Sequence, residues 1–361
     1  MKKTVAITLI IILILGSFVG CQNTNNYTKY DYSFFGTFNT IVQVIAYTKN
    51  EEEFTSYMTL LEERFFELHK LYDRFNDYEG INNIKTINDN AGIKPVKVEK
   101  EIIDLILFAK DLYSKTGNLT NIAMGAVTDI WNEYREEGTS DPENAQIPPM
   151  SLLESAGEHT DINKIIVNQE EGTIYILDPD MKIDVGAVAK GFATEIVAKE
   201  MEQKGLNSAM ISAGGNIRAI GKPLDGIKDK WGVGIQNPDR TIFDEARVLE
   251  LIFITDASVV SSGDYQRYYI VDGEIFHHIV HPETLMPTNY YRQVTIVTPD
   301  SGVADFYSTA VFLLPFEESK QLVDSVDNLE AIWVFADGNI HATEGMKKIM
   351  QSYGATNAIK K

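Results

Sequence analysis

The 361-residue chain is 44% hydrophobic, with 17 Phe, 17 Tyr and 3 Trp, and 23% charged, a composition that excludes disorder. Its 32 basic and 52 acidic residues leave a net charge of −20, which repels phosphate backbones and excludes nucleic acid as a partner. An anionic small ligand on such a chain would need locally recruited positive charge, for which a divalent cation is the obvious source.

The chain opens with Lys2 and Lys3, an apolar run over residues 5–15, and then Gly16-Ser17-Phe18-Val19-Gly20-Cys21. The run is too short to span a bilayer and ends on small residues, the pattern of a signal peptide over residues 1–20. Val19-Gly20-Cys21 is similar to a lipobox, so Cys21 is expected to carry the diacylglycerol and palmitate anchor and to become the mature N-terminus. Residues 21–30 then form the lipidated cysteine and a polar tether. The protein is expected outside the cytoplasm, anchored through lipid to a bacterial membrane. An uncleaved anchor with an incidental cysteine is the alternative, and it leaves the chain on the same side. With Cys21 the one cysteine, no disulfide framework or Cys-based metal site exists.

Residues 31–361 show no repeat and read as one unit. A strand is predicted over residues 38–47 from its alternation. Residues 51–75 carry Phe54, Met58, Leu61, Phe65, Leu68 and Tyr72 at helical spacing, an amphipathic helix whose apolar stripe is core. Further helices are predicted over residues 99–116 and 188–204, stopped by Gly117 and Gly205 at the position after the cap. Short strands follow over residues 209–212, 231–236, 248–255, 268–271, 275–280 and 293–298, then a helix over 303–314 and a strand over 331–336. Strands come in runs with helices inserted, which favours α+β over doubly wound α/β. Neither G-x-G-x-x-G nor a P-loop is present.

Four segments carry chemistry. Asp184-Val185-Gly186-Ala187-Val188-Ala189-Lys190-Gly191 crowds small residues at a helix start, where free N–H groups and Lys190 suit an anion and Asp184 suits a cap or a ligand contact. The bland alternative is a capped helix packed tightly on a strand. Ala213-Gly214-Gly215-Asn216 reads as a hairpin turn. Asp305 and Thr309 are four apart on an otherwise apolar helix, and a carboxylate buried there needs a partner or a cation. One carboxylate and one hydroxyl suit Mg²⁺, with Ca²⁺ as the alternative. The competing reading makes Asp305 a first-turn helix acid and Thr309 a back-bonded hydroxyl. Finally, Ser262-Gly263-Asp264-Tyr265 precedes His277, His278 and His281, which invite a zinc reading. A strand into a Pro turn does not gather them, so one histidine in a ligand cleft is the better expectation.

Together with Phe35-Gly36-Thr37, Asn76-Asp77-Tyr78, Asn121-Ile122-Ala123-Met124-Gly125 and Trp231-Gly232-Val233-Gly234-Ile235-Gln236-Asn237-Pro238, these segments occur in an order that resembles the ApbE family of FAD:protein FMN transferases. The likeness covers nearly all of residues 34–314. It implies an α+β, two-layer α/β arrangement over the catalytic residues 31–361, with FAD in a cleft between subdomains. It implies metal ligation by Asp305, Thr309 and the Ala187 carbonyl. It also implies an FAD site lined by Phe35, Tyr78, Leu119, Thr120, Asn121, Asp184, Lys190, His278 and Ile279. Thr120-Asn121 stands where most members have Phe-Asp, and Leu285 where a Gly follows the Thr.

The implied reaction is attack of an acceptor's threonine hydroxyl on the FMN phosphorus of FAD, with AMP leaving. Few lysines are expected near the cleft, so Mg²⁺ supplies the positive charge. His278 is the expected general base, titrating near neutrality. The implied acceptor is a flavoprotein of a membrane redox complex, Nqr/Rnf-like, or an extracytoplasmic FMN-binding domain. With water as acceptor the same site is an FAD pyrophosphatase; without turnover it is a flavin-binding lipoprotein.

Overall fold

In the computed structural model, which describes residues 26–240, 244 and 247–359, one antiparallel sheet organises the chain. Its eight strands lie side by side in chain order. They are β1 (Thr28–Thr37), β2 (Thr40–Thr48), β3 (Ala209–Ala213), β4 (Asn216–Ile220), β5 (Ser258–Gly263), β6 (Gln293–Thr298), β7 (Glu330–Val334) and β8 (Ile340–Ala342). The expected strand over 38–47 is therefore β2, and β1 takes in Thr28–Tyr30 of the expected tether. Cys21 and the expected signal peptide over residues 1–20 lie outside the described residues, among which no helix is long and apolar enough to cross a membrane.

Period-two alternation aims Val42, Val44 and Ala46 of β2 at helix α1 (Glu51–Tyr72), whose stripe buries Phe54, Met58, Leu61, Phe65 and Leu68. Each such fully buried side chain contributes about 1.5–3 kcal/mol of transfer free energy. The Asn50 side chain caps α1 by accepting from the Glu53 amide. The helix stops at Tyr72, not residue 75. Asp73 offers the Phe75 and Asn76 amides a carboxylate at 2.7 and 3.2 Å, an alternative to the helical ladder.

Four more helices shape the molecule: α2 (Lys100–Lys115), α3 (Gly125–Ser140), α4 (Ala189–Gln203) and α5 (Ser301–Phe312). Gly117 and Gly205 follow α2 and α4 at positive φ, as their sequence positions predict. α4 and α5 cover one face of the sheet together with α1, and the hairpin Trp231–Gln236/Val248–Ile254 covers part of the other. β6, between these covers, is buried at every position. The helix-on-sheet layering is the α+β arrangement expected.

Two features lock α4 to α5. A Cβ added to Gly191 would lie 2.3 Å from the Ser301 carbonyl oxygen, so the helices approach as closely as glycine permits. Buried Glu195 accepts from the Ser301 amide at 2.7 Å and from Arg218 of β4 at 3.1 Å.

Candidate active site

A cleft of about 320 Å³ opens between α3, the start of α4, the β3–β4 turn, the end of β5 and the chain after His277. Gly214 and Gly215 form the hairpin turn read from sequence, both at positive φ, and Gly214 and Asn216 also reach the cleft.

At its floor, α5 is buried all round except at Val303 and Thr309. The Asp305 Oδ2 accepts the Gly191 amide at 2.8 Å, in the first turn of α4, where a negative group is favoured. Among the described residues, Asp305 Oδ1 and the Thr309 hydroxyl have no hydrogen-bond partner, whereas Ser308 does bond back, to the Asp305 carbonyl. Thr309 is thus not the back-bonded hydroxyl of the alternative reading. Ala187 lines the same cleft. This donor set is all hard oxygen, which suits Mg²⁺ or Ca²⁺. The expected free N–H groups of the α4 N-terminus are mostly occupied, since Ala189 donates to Val185 and Gly191 to Asp305.

Asp184 neither caps α4, whose cap is Val188, nor stands free for a ligand. Its Oδ2 accepts from Arg74 at 2.6 Å and Thr128 at 2.7 Å, and its Oδ1 from the Gly186 amide at 2.9 Å. Burial pushes its carboxyl up, but Arg74 and these donors outweigh that and hold it below the ordinary value.

The histidines diverge. The expected strand over 275–280 ends at His277, because the Ile279 amide donates to the His277 ring instead of a ladder. His277 is buried, donates from Nε2 to the Thr288 carbonyl and meets the Phe312 ring edge-on. His281 accepts the Glu283 amide. Of the three, only His278 lines the cleft, where its buried Nδ1 has no hydrogen-bond partner among the described residues. Burial, then Arg267, His277, Arg135 and Lys190, depress it to about 3, so the imidazole is neutral and does not titrate near neutrality as expected. A His159–Asp178–Asp180 group brings ligand atoms within 4.8 Å, but it lies outside the cleft lining and Lys164 sits 2.7 Å from Asp178.

Of the other expected residues, Leu119, Thr120, Asn121, Lys190 and Ile279 line the cleft. Thr120 donates to the Phe306 carbonyl, and Asn121 ties to the Thr160 carbonyl and the Ala123 amide. Phe35 and Tyr78 fall outside the lining. Phe35 is 68% exposed on β1, and Tyr78 donates to Asp73 at 2.7 Å. Phe75 stands at the cleft, with the Arg74 guanidinium 5.2 Å from its ring centre. Two cleft cations escaped the sequence reading, Arg135 and Arg267. Each sits in a stretch whose charge looks like ordinary solvated surface, and α3 itself was not foreseen. Lysines are few in the lining, as expected, with Lys190 alone among its described residues, and the additional positive charge comes from these two arginines.

The sequence profile of the ApbE family matches residues 36–333. The chain belongs to the ApbE family. An ApbE relative from Treponema pallidum (strain Nichols), an FAD:protein FMN transferase, is 30% identical over 275 residues, 73% of either chain. One of the same name from Klebsiella pneumoniae (strain 342) is 28% identical over 282 residues, 78% of this chain and 84% of its own. The ApbE protein of Thermotoga maritima superposes with a TM-score of 0.76 at 25% identity, over 89% of this chain and 99% of its own. The apo flavinyl transferase ApbE of Pseudomonas stutzeri, at 18% identity and a TM-score of 0.74, shares the fold over 91% of this chain and 98% of its own.

Proposed function

We propose that this protein transfers FMN from FAD to a threonine or serine hydroxyl of an acceptor protein, forming a phosphoester and releasing AMP. The observation that carries this reading is the convergence of Asp305, Thr309 and Lys190 in one cleft of an ApbE-family chain. The two relatives named FAD:protein FMN transferase supply the donor and the transferred group. Asp305, Thr309 and the Ala187 carbonyl would hold Mg²⁺, or Ca²⁺ in its place, and such an ion neutralises the diphosphate and polarises the phosphorus. Lys190 adds a cation from the first turn of α4. The acceptor oxygen bonds to the FMN phosphorus as the bond to AMP breaks, so positioning and charge stabilisation carry the catalysis. His278 accepts the hydroxyl proton. A bound diphosphate opposes Arg267, Arg135 and Lys190, and so raises the affinity of the imidazole for that proton.

The acceptor is a flavoprotein of a membrane redox complex or an extracytoplasmic FMN-binding domain, met by a transferase anchored through Cys21. Incubating the protein with FAD, Mg²⁺ and candidate acceptors, then reading flavin fluorescence after denaturing electrophoresis, tests the reading. A fluorescent acceptor band is expected. Release of FMN and AMP without a labelled band would make the protein an FAD pyrophosphatase, and FAD binding without turnover in any metal would make it a carrier.

A further inference from the structure

On a chain of net charge −20, arginines have carboxylates to spare, and several outside the cleft lining use them. Arg64 and Arg74 each meet two or more carboxylates within 3.1 Å, and Arg218 and Arg292 each pair with two. Arg135 and Arg267 differ. Both line the cleft, and among the described residues neither forms an ion pair. The Arg135 Nη2 donates at 2.7 Å to Asn132, a neutral amide one turn earlier on α3.

Their placement is fixed by the backbone. Thr128, Asn132 and Arg135 follow one another along the cleft face of α3. Thr128 holds Asp184 at one end, and Arg135 lies about 10 Å further on at 1.5 Å per residue. The Arg267 carbonyl accepts the His278 amide at 3.1 Å, which brings its residue to the same end as the partnerless His278 Nδ1. Burial first, and then the like charge of Arg267, lower Arg135, in keeping with two guanidinium groups that share the cleft. Like charges held together without a counter-ion cost free energy that a bound anion removes. Guanidinium forks match phosphate oxygens in a bidentate geometry that lysine lacks.

We propose that Arg135 and Arg267 form an anion subsite, separate from Lys190 and the Asp305–Thr309 donors, that holds the adenylate-side phosphate of the bound dinucleotide. This rests on the FAD reading above. The subsite would keep the leaving AMP charge-matched as its bond to the FMN phosphorus breaks.

Calorimetry on the full chain with FAD, AMP and riboflavin separates the halves of the ligand. In the R135Q/R267Q variant, AMP and FAD affinity should fall at least roughly tenfold, since two charge-assisted contacts are lost, while riboflavin affinity holds. R135K and R267K should retain part of the affinity, and unchanged thermal melting shows that the wall of the cleft is intact. Unchanged FAD and AMP affinity in the double variant would overturn the subsite, and so would a parallel loss for riboflavin. A wild-type chain that binds AMP but not FAD, with the AMP lost in the double variant, would support the subsite and overturn the flavin reading.

Discussion

Asp305 divides its carboxylate: Oδ2 holds the Gly191 amide and Oδ1 is left for the cleft. Asp305→Asn keeps an acceptor for that amide while removing the charge. Flavin transfer should fall at least roughly 10²-fold, the scale of losing a charge-stabilising group, with melting nearly unchanged. Retained transfer would sink the metal assignment. At His278 the sign of the pH effect follows from a folded value of about 3 against an ordinary 6.5. Between these values the unfolded chain binds a proton that the native one refuses, so the residue subtracts stability as the pH falls below about 6.5. His278→Gln should therefore lose less stability than wild type between pH 7 and pH 5, by about 1–2 kcal/mol in urea titrations. Asp305 with Thr309 and His278 were legible because carboxylate, hydroxyl and imidazole are chemically marked. Arg135 and Arg267 were not, since a cation acquires meaning only when its missing counter-ions are seen in space.

Between elements, the α4–α5 contact sets the site, because it brings the first turn of one helix onto the carboxylate of the other. Gly191→Ala would drive a methyl into the Ser301 carbonyl and the Asp305 Cβ, at 2.3 and 2.4 Å. The helices must part, costing about 1–3 kcal/mol or more by overpacking, and both melting temperature and transfer should drop. A normal melting curve with full activity would show that the contact relaxes freely. Arg74 joins α1 to α3 and to the segment before α4, through Asp129 and Asp184 at 2.6 Å each. Arg74→Met removes the cation from the partly buried Asp184 and should cost about 1–3 kcal/mol, read by denaturant unfolding. Leu285 keeps a φ of +57°, with its carbonyl held by the Trp131 indole N–H at 2.9 Å. Packing thus enforces a conformation that glycine would adopt freely. Helix and strand types were readable from periodicity, but the ends of α1 and of the 274–277 strand were set by side chains, Asp73 and His277, competing for amides.

For the whole molecule, net charge and local charge oppose each other: −20 overall, yet Lys190, Arg135 and Arg267 in the cleft form no ion pair among the described residues. A lipid anchor on Cys21, as proposed, would also be a whole-molecule property, because it would decide which membrane face and which acceptors the cleft meets. Cys21→Ser in a bacterial host should move the protein from the membrane to the soluble fraction and abolish labelled-palmitate incorporation, while purified protein keeps its transfer rate. Membrane retention without label would favour an uncleaved anchor.

The sequence alone determined the α+β class, the family and the Asp305–Thr309 pair, because hydrophobic period, glycine positions and motif order are properties of the string. Tertiary structure decided the rest. It filled Asp184 with Arg74, buried His277 against the Phe312 ring, and left Phe35 and Tyr78 outside the lining. Above all, it gathered Arg135 and Arg267 from segments 132 residues apart. Pairing and burial depend on distance through space, and distance through space is what a sequence does not state.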